Sequence, residues 1–231
     1  MKSSKKILVI TPSLPFPPTG AEQGDRAWGL IQLKNLGYEV RVIAKLVSWQ
    51  SKEQVKEIEE KIGIPIITVP YKFSNKILTL KDKIKKTLLK MSNPFLLDGA
   101  TLEYAEPEIK KIVKKELETW QPDVVWFDYT YLWPLYGIVR KQKIPIITRS
   151  INYEPIHFLQ EDGYTLFNLL KSAPKFFSEF LSSIKSDHIF AITPKEEKIY
   201  KRMNKQASML PLRGLPYCLR KSHSISDKRI L

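Results

Sequence analysis

The chain has 231 residues, and 38 Lys and Arg against 24 Asp and Glu leave a formal charge of +14 with the three histidines neutral. With 43% hydrophobic and 27% charged residues it has the composition of one large folded domain rather than a disordered chain, and enough length to bury a core without a staple. The lone Cys218 excludes a disulfide framework and a cysteine-based zinc site, and His157, His188 and His223 lie too far apart for a local metal-ligand spacing.

The basic start MKSSKK precedes an apolar run over 7–10. That is shorter than the roughly 7–15 residues of a signal peptide, so the segment reads as a buried strand. The longest uncharged stretch of membrane-like character, 129–139, contains Pro134 and falls well short of the roughly 20 residues a spanning helix needs. A cytoplasmic or peripheral, reduced protein is expected. Candidate strands follow at 6–11, 39–46, 65–70, 123–128, 145–150, 188–193 and 208–212. Most are continuous apolar runs, as a sheet covered on both faces demands. Between them lie helix-length segments at 25–36, 51–62, 76–91, 100–119, 130–142, 155–183 and 194–204. This alternation predicts an α/β fold with a Rossmann-like, doubly wound parallel sheet. No internal repeat or low-complexity segment interrupts it.

Boundary residues carry their own signals. Asp25 reads as the cap of the first helix and Gly37 as its left-handed end. Thr193 and Pro194, followed by Glu196 and Glu197, read as a cap, a first-turn proline and acids matched to the helix dipole. The domain is expected to run over 1–213. The polar stretch 214–231, which ends as a new apolar run begins, reads as a linker and the opening of a second domain.

Several residues can carry chemistry. Gly20 and Gly24 lie in a proline-rich loop between the first strand and its helix, a natural anion site, though their spacing is neither the dinucleotide fingerprint nor the P-loop. A mobile loop is the alternative. Arg26 opposes the helix dipole there, which points to an anionic contact. Asp128 ends one strand, and Arg149, Asn152 and Glu154 follow the next. In an open α/β sheet these places border the ligand crevice, and for Asp128 a helix cap is the competing reading. One concavity shared by these four, with the two glycines at its rim, is the expectation.

Segment 72–90 holds seven lysines and one aspartate, with Ile77, Leu80, Ile84 and Leu88, and then Met91, at helical spacing. It is either a solvated face over a core helix or a basic amphipathic helix lying on an anionic membrane surface. No nucleic-acid module accompanies the charge, so no nucleic-acid partner is expected. Neither a G-x-S-x-G elbow nor a nearby Cys/His pair is present.

In this order and spacing the segments resemble the amino-terminal domain of family-4-type glycosyltransferases of the GT-B fold. The likeness runs from PFPPTGAEQGDRAWGLIQLKNLGYEVRVIA through QPDVVWFD, PIITRSINYEP and SDHIFAITPKEEKIY to MLPLRGLP. It implies sugar transfer from a nucleotide-sugar, without metal or other cofactor, in a cleft between two Rossmann-like domains. The absence of a D-x-D triplet agrees. The resemblance implies that this acceptor-side half serves a cell-surface glycan or lipid-linked acceptor, at the inner face of the cell membrane. It implies catalytic roles for Asn152 and Glu154, and substrate binding by Gly20, Gly24, Arg26, Asp128 and Arg149. Most of the donor site, including a Glu-x7-Glu pair, would belong to a missing second domain. Glu108 and Glu116 share that spacing, but read as a coincidence on a solvated helix face. Ile151 stands where the family pattern most often has histidine. The chain alone is therefore expected to lack activity. Two alternatives stand beside the enzyme half: a non-catalytic acceptor- or membrane-binding subunit of a split glycosyltransferase, and an inactive truncated remnant.

Overall fold

The computed structural model describes residues 4–47, 50–72, 79–93, 96 and 98–213. The apolar runs become β1 (Lys6–Thr11), β2 (Glu39–Leu46), β3 (Ile66–Pro70), β4 (Val124–Phe127), β5 (Ile146–Arg149), β6 (His188–Ala191) and β7 (Ala207–Met209). All pair in parallel, in the order β3-β2-β1-β4-β5-β6-β7. Parallel neighbours need crossovers, which helices supply. These are α1 (Ala21–Asn35), α2 (Lys52–Ile62), α3 (Leu80–Ser92), α4 (Gly99–Tyr104), α5 (Pro107–Thr119), α6 (Tyr136–Lys141), α7 (Glu154–Asp162), α8 (Leu166–Lys185) and α9 (Pro194–Lys201), with a 3-10 turn at Thr130–Leu135.

Both sheet faces are covered. Ile7, Val9, Val42 and Trp126 pack with Ala27 and Leu30 of α1 and Val55 of α2. Leu8, Ile10, Ile43, Val125 and Phe127 pack on the other side with α4, α5 and α6. That two-sided burial explains why the strands read as unbroken apolar runs. The strand order reverses between β1 and β4, which places a crevice at their carboxyl ends.

Helix boundaries depart from expectation where glycine or proline acts. The 100–119 segment divides into α4 and α5 because Pro107 fits only a first turn. The 155–183 segment divides at Gly163, whose φ of 90° no helix accepts, and Thr165 then caps α8 by accepting from the Asn168 amide. Over 130–142 the 3-10 turn containing Pro134 precedes α6. Thr193 caps α9 as read, with Pro194 in the first turn, and Gly37 takes φ 85° after α1.

Asp25 does not cap α1. The helix begins four residues earlier, with Gly20 in the cap position, and Asp25 is buried inside it. Glu116 corrects the solvated-face reading of the Glu-x7-Glu match: it is buried and pairs with Arg41 of β2 at 2.9 Å. The expected linker over 214–231, and Ile77 with the start of the lysine-rich segment, lie outside the described residues. Among the described residues no helix is long and apolar enough to cross a membrane.

Candidate functional site

The loop after β1 is anchored in its first half. Tyr71 and Tyr104 donate to the Pro12 carbonyl at 2.9 and 2.6 Å. Gln50 donates to the carbonyls of Leu14 and Phe16. Residues 17–20 are exposed and end at Gly20, whose extended backbone opens α1 without a side-chain cap. A Cβ added at Gly20 or Gly24 would meet nothing within 4 Å, so open space lies beside the helix start. Unpaired first-turn amides and the helix dipole favour an anion there.

Behind that loop lies a charge cluster the sequence did not announce. Arg149, at the end of β5 and fully buried, donates from Nε and Nη2 to the two oxygens of Asp25 at 3.0 and 2.9 Å. Arg213 adds its backbone amide at 2.6 Å and Nη2 at 3.0 Å to the same carboxylate. It also lies 3.7 Å from Asp128, which accepts from Trp126 Nε1 at 2.7 Å. Burial pushes the Asp25 carboxyl up, but Arg213 and Arg149 outweigh it and hold it below the usual carboxylate range. Burial, reinforced by the like charge of Arg213, lowers Arg149. Asp25 is thus the hub that ties α1 to β5 and to the chain after β7. Its partner in β5 is 124 residues away, and no local pattern points to it.

Arg26, the next residue, is also buried. Its guanidinium pairs with Glu22 and lies over the Tyr129 ring at 5.5 Å. Burial lowers its pKa, but Tyr131, Glu22, Asp128 and Tyr129 raise it further. Its Nε has no hydrogen-bond partner. An orphaned buried donor beside an open helix start is what an anionic group would satisfy.

Another buried acid sits under α7. Glu179 of α8 accepts from Thr130 Oγ1 at 2.9 Å and the Glu154 amide at 3.2 Å, and lies 2.6 Å from the Tyr200 hydroxyl. Tyr200 is also 2.6 Å from Ser150 Oγ, which donates to the Asn152 carbonyl at 2.8 Å. With one proton per hydroxyl, every contact is made when Glu179 donates to Tyr200, Tyr200 to Ser150 and Ser150 to Asn152. Burial raises the Glu179 carboxyl to about 8, in the same direction. The neutral acid therefore fixes the backbone where Asn152 and Glu154 stand.

Asn152 lines a polar cleft of about 210 Å³ at the carboxyl ends of β5 and β6, together with Tyr153, His157, Gln160, Lys195 and Glu196. Glu196 also accepts from the Tyr153 amide at 2.9 Å, which joins α9 to α7. Burial pushes the Tyr153 hydroxyl up to about 12. Glu154 instead accepts from the Tyr129 hydroxyl and lies 3.6 Å from Lys175 Nζ.

The expected residues therefore divide. Asp128 and Arg149 join the Asp25 cluster, Gly20, Gly24 and Arg26 frame the open helix start, and Asn152 belongs to the cleft between α7 and α9. Glu154 stands between these regions, bridged to Arg26 by Tyr129. The single shared concavity is replaced by three neighbouring groups. Ile151 is buried in the core, so its position offers no side chain to a ligand. Among the described residues no group of three or more His, Cys, Asp or Glu is placed to hold a metal. Amide, imidazole, ammonium and carboxylate groups around one cleft suit a hydroxyl-rich ligand, while the α1 start suits an anion.

No protein-family model matches the chain, and no curated protein matches its sequence. Solved structures do match its fold. Arabidopsis thaliana UGT89C1, complexed with UDP-L-rhamnose, is 12% identical with a TM-score of 0.51, over 91% of this chain and 49% of that one. Phytolacca americana UGT2, complexed with UDP-2fluoro-glucose and pterostilbene, is 13% identical with a TM-score of 0.50, over 91% and 54%. A Listeria monocytogenes protein described as a UDP-N-acetylglucosamine 2-epimerase is 14% identical with a TM-score of 0.51, over 87% and 42%. The chain thus has the α/β, Rossmann-like fold of one half of the GT-B architecture shared by glycosyltransferases and such epimerases. It spans about half the length of the structures it matches.

Proposed function

We propose that this chain is the acceptor-side half of a glycosyltransferase that moves a sugar from a nucleotide-sugar to a cell-surface glycan or lipid-linked acceptor. The observation that carries the reading is its likeness to half of proteins whose solved structures hold UDP-sugars. The open α1 start with Gly20, Gly24 and the orphaned Arg26 donor contacts the donor's phosphates. The cleft at Asn152 and His157 takes the acceptor, and Glu154, held by Tyr129 and Lys175, stands between them. Asp128 and Arg149 shape the crevice through Asp25 and Arg213. A second, donor-binding half completes the site, and no metal or other cofactor takes part. The protein works in the cytoplasm, at the inner face of the membrane, with the lysines of α3 toward anionic lipid.

Burial of Ile151 where the family pattern has histidine favours a second reading, an acceptor-binding subunit without catalytic groups of its own. Ligand-detected NMR with a panel of glycans, and transfer assays with UDP-, GDP- and ADP-sugars, test both. The expected result is glycan binding lost in Asn152→Ala with no transfer by the chain alone. Robust transfer by the isolated chain, or no glycan binding at all, would contradict the proposal. A donor-half partner that restores transfer would select the enzyme-half reading over the binding subunit.

A further inference from the structure

α8 is built inside out. Its inward residues are Ser172, Ser178, Glu179, Ser182 and Ser183, all buried. The serines hydrogen-bond to backbone carbonyls one turn away or to side chains of α4 and the 3-10 turn. Its outward residues are apolar apart from Lys171. Leu166, Phe167 and Leu170 are 77%, 65% and 68% exposed, and Phe176, Phe180 and Ile184 continue the face. An amphipathic helix ordinarily turns such a stripe inward. An exposed apolar face of this length marks a surface that something covers.

α3 shows the same inversion. It has no buried residue, and Leu80, Ile84, Leu88 and Met91 are exposed. Only Leu89, on the opposite side of the helix, packs against the core, and it reaches the same cluster as Leu181 of α8. α4 lies between the two helices: α3 packs on it, and Thr101 of α4 hydrogen-bonds Ser178 of α8 at 2.9 Å. Both apolar faces thus belong to one side of the sheet.

The charge around them decides the occupant. α3 carries five lysines against Asp82 alone, and Lys171 stands exposed on α8, while Lys175 is turned inward onto Glu154 and Glu179 is buried. A protein partner with an ordinary mixed surface gains little from such bias. Apolar side chains ringed by lysines fit a bilayer with anionic headgroups, where acyl chains take the first and phosphates the second.

We propose that the outward faces of α3 and α8 form one membrane-docking surface, in which the Leu and Phe side chains of α8 insert into an anionic bilayer while the lysines of α3 hold its headgroups. This rests on the membrane-surface part of the function proposed above and is independent of sugar transfer. The cleft beside Asn152 is then held near the plane of a lipid-linked acceptor, because α7, which lines it, packs directly on α8.

Vesicle sedimentation tests it, with equimolar phosphatidylglycerol and phosphatidylcholine against phosphatidylcholine alone. Three proteins are compared: the native chain, Leu166→Ser/Phe167→Ser/Leu170→Ser, and Lys81→Glu/Lys83→Glu/Lys85→Glu/Lys86→Glu. All the α8 substitutions are at exposed positions, and circular dichroism confirms folding. The native chain should bind the anionic vesicles, and the serine variant should lose on the order of a hundredfold in partitioning. The lysine variant should lose the salt-sensitive part. A Phe180→Trp variant should be quenched by lipids brominated on the acyl chains. Native binding undiminished in the serine variant would overturn insertion by α8 while leaving the membrane-surface reading intact. No binding to anionic vesicles would overturn both. Concentration-dependent dimers without vesicle binding, abolished by the serine substitutions, would assign the face to a second copy and overturn the proposal.

Discussion

α5 and α8 lie on the same side of the sheet and are both amphipathic, yet they are turned in opposite senses. α5 points Ile109, Val113 and Leu117 into the core and leaves Lys111, Lys114 and Lys115 outside. α8 points serines and Glu179 inward and leaves leucines and phenylalanines outside. The periodicity of the two sequences is alike. What differs is where the apolar face lies: against the core for α5, and exposed among the described residues for α8. Hydrophobic spacing therefore fixes the existence of a helix and the angle of its stripe, not the side on which the core lies.

The contrast is broken most sharply by placing one acid on each helix. Val113→Asp buries an unpaired charge at a position with no exposure, and should destabilise by about 4 kcal/mol or more in urea unfolding. A mild effect there would mean that α5 is not seated on the core. The Asp25 cluster sets the scale for polar contacts inside. Asp25→Asn leaves Arg149 and Arg213 short of their counter-charge and should cost about 3–5 kcal/mol by the same measurement.

Glu179 sharpens the inward side of α8. Its folded pKa of about 8 is raised above the usual 4.5, so the folded state holds a proton that the unfolded chain releases. Its stabilising contribution is complete below about pH 4.5 and is lost as pH rises to about 8, at up to about 1.4 kcal/mol per pH unit. Glu179→Gln keeps a donor for Tyr200 without an ionisable group. The difference between the two unfolding curves should follow that slope, with the variant the more stable above pH 8. Parallel curves would mean that Glu179 is ionised in the fold. The smallest effect belongs to the outer face: Leu170→Asp should change stability by less than about 0.5 kcal/mol, because the side chain has no core contact to lose. A large loss would show that the face is covered within the chain itself.

The sheet was legible because parallel strands buried on both faces leave continuous apolar runs, as in KILVIT and EVRVIAKL. The division of 155–183 was also written locally, in Gly163 followed by the capping Thr165, and the division of 100–119 in Pro107. The site was less legible. Placement after successive strands pointed to Asp128, Arg149, Asn152 and Glu154, but whether they share a cavity depends on side-chain partners. Asp25 reaches Arg149 and Arg213 across the whole fold. Tyr129 draws Glu154 toward Arg26 and away from Asn152. Such pairings are made by the fold and leave no mark in spacing. The polar inward face of α8 did leave one, in serines and Glu179 at helical intervals, but nothing local says which face the sheet will claim.

Amide hydrogen exchange of the chain on anionic vesicles carrying a lipid-linked glycan tests the account most directly. Protection should appear together in α3, in the outward-facing turns of α8 and in the segments around Asn152 and His157, with α5 unchanged. Protection of α5 instead, or of α3 and α8 without any change at the cleft when the glycan is added, would contradict an acceptor-side half working at a membrane surface.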